Sequence, residues 1–225
     1  MRWQTLAEQV VRVGPTPRVS ASLPLVPRLD EIRSRLAAHS PRVVSREGMT
    51  RAAVAILLRG PEAAPSILFI ERAQRKGDPW SGQMAFPGGR FDASDRDERE
   101  TAERETAEEV GLDLSVAERL GQIDDLRGRP TSPSGGLVVS AHVYAATEPQ
   151  ELVPNAEVAD VFWFPVASLL EPERQVVYRH PAMASTDFPG LRVGDPERHI
   201  VWGLTHRFLE IFLETIGHPL PERSA

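Results

Sequence analysis

Residues 88–112, GGRFDASDRDERETAERETAEEVGL, place several carboxylates where a helix normally avoids them. If this stretch is helical from about residue 97, Glu105, Glu108 and Glu109 share one face, where like charges repel by roughly 0.2–0.5 kcal/mol per pair. Gly111 is typical of the residue just past a helix end, so the last two glutamates also lie at the negative end of the helix dipole, at a cost of roughly 0.3–1 kcal/mol each. Such a local conflict is expected at a functional site, and a divalent cation is its simplest relief.

An acidic run taken alone is more often a solvated helix face, and the preceding loop weighs against that interpretation here. The sequence FPGG at 86–89 follows a strand-like apolar run, and two successive glycines let the backbone approach a ligand closely. A strand, a glycine loop and a helix with clustered acids together predict a site for a metal ion and a phosphate group.

The segment RETAEEVGL at 104–112 resembles the REUXEEXGU half of the signature of the Nudix hydrolases. Thr106 stands where a bulky aliphatic residue is usual in that family. In the first half of the signature Asp95 stands where the family has glutamate, and Arg104 follows after eight residues instead of seven. The resemblance extends over residues 51–170, because RAAVAILL before the signature and EVADVFWFPVASLL after it are similar to the family's flanking strands.

The resemblance implies an α/β (α+β) fold, a Nudix-like α/β/α sandwich around a mixed sheet. The order of predicted elements alone says only α/β or α+β. We expect residues 1–50 to form an N-terminal extension with a short helix, and residues 51–225 to form the Nudix domain including a C-terminal helix.

The resemblance also implies a metal site that holds Mg²⁺ or Mn²⁺ and lowers the pKa of a bound water. Its expected ligands are Glu105, Glu108, Glu109 and the carbonyl oxygen of Gly88. Either Glu105 or Glu157 is expected to act as the general base, and Arg104 is expected to orient a glutamate through a charge-assisted hydrogen bond.

Upstream of the signature, GQMAFPGG at 82–89 is similar to the coenzyme A pyrophosphatases of this family, although the arginine spacing before it differs. Cationic and glycine residues around this loop are candidates for contacts to the phosphates of a substrate. They are Arg72, Arg75, Lys76, Gly89 and Arg90.

Three functions remain open from the sequence. The first is hydrolysis of the diphosphate of coenzyme A or its thioesters to 3′,5′-ADP and 4′-phosphopantetheine. The second is the same chemistry on another nucleoside diphosphate derivative, such as ADP-ribose or an oxidised nucleotide. The third is a nucleotide-binding module without catalysis, and the presence of all three signature glutamates favours an enzyme over this module.

The amino-acid composition limits the classes of partner that the chain is expected to bind. The chain has 225 residues, 41% hydrophobic and 26% charged, which suits one globular domain with appended segments. It has no cysteine, which excludes thiol catalysis, and its net charge of −6 makes nucleic acid an unfavourable partner. No membrane span and no signal-peptide core are visible, so we expect a cytoplasmic protein that binds a small nucleotide diphosphate, as a monomer or a homodimer.

Hydrophobic periodicity predicts the remaining elements. Strands are expected at 52–58, 66–71, 83–86, 118–126, 137–146 and 158–164, and helices at 29–39, 97–110 and 199–217. The first two strands are expected to pair across GPEAAP, and RGRPTSPSGG at 127–136 is expected to be a loop. A proline-rich, irregular stretch is expected before the first helix.

Overall fold

The computed structural model describes residues 26–221 except 77–79, 133–134, 181–182 and 184–185. The predicted irregular stretch before residue 26 therefore lies outside the described residues. The helices and strands, in chain order, are α1 Leu29–Ala38, β1 Thr50–Arg59, β2 Ser66–Arg72, β3 Met84–Ala85, β4 Gly88–Arg90, α2 Glu98–Val110, β5 Glu118–Ser132, β6 Gly135–Ala145, β7 Val158–Pro165, β8 Gln175–Tyr178, β9 Phe188–Arg192, β10 Ile200–Trp202 and α3 Gly203–Thr215.

A seven-stranded mixed sheet forms the centre of the fold. Its main order is β3-β2-β1-β6-β5, with β4 also paired to β1 and β7 paired to β2. The pair β1–β6 is parallel and the other pairs are antiparallel. The three strands β10-β9-β8 form a second, antiparallel sheet.

Helices cover both faces of the large sheet. Apolar residues of α1 and α3 join one hydrophobic cluster, and apolar residues of α2 join another on the opposite face. Strand β1 lies between the two layers, so Ala55, Ile56, Leu57 and Leu58 are all fully buried, as expected for a strand covered on both faces. The predicted α/β/α sandwich with a mixed sheet is confirmed.

Helix α2 begins and ends as its sequence predicts. The side chain of Asp97 accepts a hydrogen bond from the backbone N–H of Glu100 at 2.9 Å and caps the first turn. Gly111 ends the helix in the left-handed conformation, with φ of 73°. These two caps fix where the helix begins and ends, and its glutamates at 105 and 109 lie against Gly89 and Gly88 of β4.

Helix α1 contributes to the core although it belongs to the predicted extension. Leu29, Ile32 and Leu36, spaced on one helical face, are buried against the α3 side of the sheet. The boundary at residue 50 stays a prediction, but this helix packs as part of the same hydrophobic layer.

Two predicted elements were wrong. The loop predicted at 127–136 was wrong for its described residues, since β5 continues to Ser132 and β6 begins at Gly135, with Gly128 paired to Leu137. Backbone pairing without apolar alternation leaves no periodic signal in a sequence. The last helix begins at Gly203 and not at residue 199, because Ile200–Trp202 pairs with β9 before the chain turns at Gly203, whose φ is 64°.

Candidate active site

A cavity of about 560 Å³ opens where β4, the second half of α2, the start of β7 and the start of α3 meet. Eight of the residues predicted from the sequence line it: Arg72, Arg75, Gly88, Gly89, Arg90, Glu105, Glu109 and Glu157. Residues that are far apart in the chain therefore face one common space.

Glu109 is the most buried acid of this cavity, with 3% of its surface exposed. Its Oε2 accepts a hydrogen bond from the backbone N–H of Gly88 at 2.9 Å. Burial raises the pKa of Glu109 to about 7 despite that hydrogen bond. A side chain at position 88 would lie 2.3 Å from the carbonyl oxygen of Ala53, so only glycine lets this N–H reach the carboxylate.

Glu105 lies one helical turn earlier, against the backbone of Gly89. A Cβ atom on Gly89 would lie 2.3 Å from the Cδ atom of Glu105, so the second glycine provides the space for this carboxylate. Arg104 Nη1 donates to Glu105 Oε1 at 2.9 Å. Burial nevertheless raises the pKa of Glu105, and the neighbouring charges of Glu108 and Glu157 act in the same direction.

Arg104 is held by Asp95 in a two-point contact, with Nε to Oδ1 at 2.9 Å and Nη2 to Oδ2 at 3.0 Å. Asp95 also accepts from the hydroxyl of Thr101 at 2.8 Å and from the backbone N–H of Asp92 at 3.0 Å. The Arg104 hydrogen bonds hold the pKa of Asp95 well below its usual range. The shorter acid in the first half of the signature thus orients Arg104 and is not part of the cavity lining.

Glu108 differs from its two neighbours. Its side chain is 57% exposed, and Arg104 Nη1 lies 3.4 Å from its Oε2. It is absent from the cavity lining. As a metal ligand it would reach the ion from the open side of the site.

Glu157 enters the cavity from the turn before β7. Its Oε1 lies 2.9 Å from Arg75 Nη2, and its backbone carbonyl accepts from the N–H of Ala73 at 2.8 Å. These contacts keep the Glu157 carboxylate beside the acids of α2, and they bring one cation and one further carboxylate to the mouth of the site.

Of the predicted substrate contacts, Lys76 alone does not line the cavity. It is exposed and precedes residues 77–79, which lie outside the described part of the chain. Arg72, Arg75 and Arg90 line the cavity around the glycine loop, so three cations face the same space as the acids.

The sequence did not predict the apolar end of the cavity. It is formed by Val54, Met84, Phe86, Leu137, Val139, Trp202, Leu204 and Phe208. In the sequence, several of these residues look like ordinary core residues. The residues of α3 reach the cavity through the pairing of β10 with β9, and no periodic sequence pattern indicates this pairing. The cavity lining therefore combines a set of charged residues, named here its charged half, with a set of apolar residues, named here its apolar half.

The donor set around α2 fits a divalent metal. It consists of carboxylate oxygens with a backbone carbonyl nearby, which are the ligands that Mg²⁺ and Mn²⁺ prefer. Two of the carboxyl groups are partly or fully buried near each other, and burial raises the pKa of both, so a cation bound between them would favour their ionised forms.

A second group of possible ligands, Glu71, Asp160 and His199, is unsuited to a metal ion. The ring Nδ1 of His199 accepts a hydrogen bond from the backbone N–H of Asp195 at 2.9 Å, so in the neutral ring Nε2 carries the proton. Metal-bound histidines normally donate from their second nitrogen. The Nε2 atom lies 3.4 Å from Glu71 and 3.5 Å from Asp160. Arg198 also forms an ion pair with Glu71, so these polar contacts connect the second sheet to the first.

The fold and this carboxylate helix define a hydrolase of phosphorus anhydrides. The family model for the NUDIX domain matches residues 49–184. The chain belongs to the Nudix family. Among solved structures, a MutT/nudix family protein from Enterococcus faecalis superposes with a TM-score of 0.50 at 17% identity, over 84% of this chain and 70% of that one.

Similarity to individual relatives covers more of the chain than the NUDIX family model does. The mitochondrial coenzyme A diphosphatase NUDT8 of Homo sapiens is 34% identical over 192 residues, which cover 83% of this chain and 78% of the relative. The Nudix hydrolase NudL of Escherichia coli K12 is 30% identical over 199 residues, with 84% and 95% covered. The chain spans about half the length of a Schizosaccharomyces pombe relative, 49%, at 33% identity over 62% of this chain. No helix among the described residues is long and apolar enough to cross a membrane.

Proposed function

We propose that this Nudix hydrolase cleaves the diphosphate of coenzyme A or of its thioesters, giving 3′,5′-ADP and a 4′-phosphopantetheine. The observation that carries this proposal is the division of one cavity into a charged half and an apolar half. Coenzyme A combines a diphosphate with a long, weakly polar arm. The similarity to NUDT8 and the GQMAFPGG loop support the same substrate.

Glu105, Glu108, Glu109 and the Gly88 carbonyl would hold Mg²⁺ or Mn²⁺. When bound, the ion neutralises the diphosphate oxygens and lowers the pKa of a coordinated water. Within the chain, Gly88 holds Glu109 through its N–H, and Arg104 holds Glu105. Because Asp95 fixes Arg104 in turn, the glutamates of α2 are oriented before any ligand arrives.

Two carboxylates are candidates for the group that takes the proton from the attacking water. Burial raises the pKa of Glu105, the direction that favours a general base, but its carboxylate accepts a hydrogen bond from Arg104. Glu157 is exposed at the cavity mouth and is paired with Arg75. A substrate phosphate that draws Arg75 towards itself would free Glu157 for this role.

The substrate contacts follow from the two halves of the cavity. Arg72, Arg75 and Arg90, together with the backbone of Gly89, would meet the phosphates. Lys76 is proposed as an outer contact to the 3′-phosphate region. The apolar half around Phe86, Trp202 and Phe208 would receive the pantetheine arm and the acyl group of a thioester.

A substrate panel tests the proposal. Coenzyme A, an acyl thioester, ADP-ribose and an oxidised nucleotide are offered with Mg²⁺ or Mn²⁺, at a pH above the raised pKa of Glu109, and products are identified by mass. We expect coenzyme A or its thioester to have the highest kcat/KM. Turnover of ADP-ribose or the oxidised nucleotide alone would identify that compound, and not coenzyme A, as the substrate. Tight binding without turnover of any compound would indicate a nucleotide sensor.

Two single substitutions test the two halves of the cavity separately. Trp202→Ala should raise KM for a thioester more than for ADP-ribose, since only the former uses the apolar half. Arg72→Met should raise KM for both. Localisation in the cytoplasm and assembly as a monomer or homodimer stay predictions beside this proposal.

A further inference from the structure

Glu98, the first residue of α2, lies on the same helical face as two of the proposed metal ligands. An α-helix turns through about 100° per residue, so the side chains seven and eleven positions later, Glu105 and Glu109, point within about 20° of the direction of Glu98. A contact that holds the Glu98 side chain therefore also fixes the direction in which these two carboxylates point.

Two arginines bind the Glu98 carboxylate, whose side chain is only 13% exposed. Arg51 on β1 donates from Nε to Oε1 at 2.7 Å, and Arg46 donates from its Nε to the same oxygen. Burial acts to raise the pKa of Glu98, but the hydrogen bonds from the two arginines outweigh it and lower the pKa to about 2. The carboxylate is therefore ionised at neutral pH, and removing its charge would leave two partly buried cations without their partner.

Arg46 is itself fixed to the large sheet. Its Nη1 donates to the carbonyl oxygen of Val44 at 2.7 Å, and its Nη2 donates to the hydroxyl of Ser140 on β6 at 3.1 Å. The same Nη2 lies 3.2 Å from the carboxylate of Asp125 on β5. Glu98 is thus anchored to the strands of the sheet, and not to a mobile surface side chain.

Arg51 also holds the chain that leaves the glycine loop. Its guanidinium carbon lies 3.4 Å from the centroid of the Phe91 ring, and its backbone carbonyl accepts the N–H of Phe91 at 3.0 Å. Phe91 directly follows Arg90, the last residue of β4. A planar guanidinium can stack on a ring with its face while its edge donates a hydrogen bond, which an ammonium group cannot do. One side chain therefore contacts the helix of the metal site and the chain next to its glycine loop.

The separation of α2 and β4 determines the geometry of the proposed metal site. Oε2 of Glu109 accepts the N–H of Gly88 at 2.9 Å, and a Cβ atom on Gly89 would lie 2.3 Å from the Cδ atom of Glu105. A misplacement of about 1 Å in a catalytic site can cost about 100-fold in rate. Contacts that fix α2 relative to β4 therefore bear on metal binding as well as on stability.

We propose that Arg51 and Glu98 are positioning residues of the metal site, and that their ion pair sets the rotation of α2 against the glycine loop and thereby the affinity for Mg²⁺ or Mn²⁺. This inference rests on the proposed function, because it takes the acids of α2 as the metal ligands. Neither residue lines the active-site cavity, so both act through the glutamates and the loop.

Electron paramagnetic resonance of the full chain titrated with Mn²⁺ tests this inference, because it measures bound and free ion without relying on turnover. Glu98→Gln removes the charge and keeps the shape, and we expect it to weaken Mn²⁺ binding at least about tenfold. At saturating Mn²⁺, kcat should fall while KM for coenzyme A stays close to that of the wild type, since Glu98 does not touch the substrate cavity.

Two further variants accompany Glu98→Gln. Arg51→Lys keeps a positive charge beside Glu98, so it should fold, but it loses the planar group that stacks on Phe91. It should bind Mn²⁺ more weakly than the wild type and more tightly than Glu98→Gln. Glu100→Gln is the matched control, because it breaks an ion pair with the exposed Arg96, at 3.0 Å, near the start of the same helix. It should keep wild-type Mn²⁺ affinity.

Urea unfolding verifies that each variant is folded at the temperature of the titration, and Arg51→Lys decides if Glu98→Gln does not fold. Lower stability with unchanged Mn²⁺ affinity in the folded variants would show a purely structural role and overturn the proposal. An equal loss of affinity in Glu100→Gln would overturn it too.

Glu109→Gln distinguishes this inference from the proposed function. If this variant loses Mn²⁺ while Glu98→Gln and Arg51→Lys bind it as the wild type does, the positioning role alone is refuted. Mn²⁺ binding that is insensitive to Glu109→Gln refutes the metal site and this inference together. If Mn²⁺ affinity follows the expected order but coenzyme A is not hydrolysed, the positioning role is supported and only the substrate is refuted.

Discussion

Glu109 combines the features expected of a metal ligand at the scale of single residues. It is buried, it is positioned by the N–H of Gly88, and burial raises its pKa although that N–H and the charge of Arg72 act in the opposite direction. Removing the charge while keeping the shape should therefore affect chemistry more than folding.

We predict that Glu109→Gln lowers kcat at least about 100-fold, because the ion loses one anionic ligand. Its thermal unfolding in the absence of metal should be unchanged or raised, since a buried carboxyl group with an unfavourable ionisation is replaced by a neutral amide. Kinetics and calorimetry of the same preparation measure both effects. Near wild-type turnover would mean that the metal ligands have been misassigned.

His142 supplies a pH effect whose sign can be worked out. Burial lowers its pKa to about 4 in the folded protein, against 6.5 for an exposed histidine, so the unfolded chain binds a proton first as pH falls. The contribution of His142 to the unfolding free energy is fully present above pH 6.5 and is lost as pH falls towards 4. At about 1.4 kcal/mol per pH unit, this loss amounts to roughly 3 kcal/mol. The charged groups facing the ring are Arg119, Asp97, Glu98 and Asp125.

We predict that His142→Phe reduces this acid-induced loss of stability. Urea unfolding in phosphate-free buffers, at pH values above 6.5 and near 4, measures the difference between the variant and the wild type. Comparing differences removes the contribution of the carboxylates that both proteins share. An equal loss in both proteins would show that the ring is protonated in the folded state.

At the scale of elements, the close approach of β4 and α2 shapes the site. Gly89 leaves no room for a side chain, because a Cβ would meet the Glu105 carboxylate at 2.3 Å. We predict that Gly89→Ala lowers kcat/KM about 10- to 100-fold by displacing Glu105, whereas it lowers stability little. Enzyme assays and thermal unfolding check the two parts separately.

Gly136→Ala is the control for this prediction. A Cβ at Gly136 would meet only the end of the flexible Met49 side chain, at 2.4 Å. This variant should keep wild-type turnover. If both glycine variants lose activity equally, the packing of Glu105 against Gly89 is not what limits the reaction.

The sequence predicted α2 and its end at Gly111, because a C-terminal glycine and the spacing of the glutamates are local signals, whereas the cap formed by Asp97 was not among the predictions. It also predicted most residues of the charged half of the cavity, through the family resemblance. The apolar half could not be predicted, since Trp202 and Phe208 come to the site through the pairing of β10 with β9 and the packing of α3. Such contacts depend on tertiary structure, and no short-range pattern records them.

At the scale of the whole molecule, the part of the N-terminal extension from Leu29 onward packs into the core as helix α1. Its three buried side chains are each worth about 1.5–3 kcal/mol on burial. We predict that deleting residues 1–28 leaves turnover unchanged, while deleting 1–39 lowers the unfolding free energy by at least about 3 kcal/mol. Chemical unfolding of the two truncated chains measures this. Lost hydrolysis in the shorter deletion would place that segment in the site or in an obligate dimer.

The assignment of the active site depends on a catalytic metal ion held by the acids of α2. Crystals soaked in Mn²⁺ provide the decisive experiment, because anomalous scattering locates the ion. We expect a peak in contact with Glu105 and Glu109 in the wild type, and none there in Glu109→Gln. A peak between Glu71, Asp160 and His199 instead, or no bound ion beside α2, would contradict it.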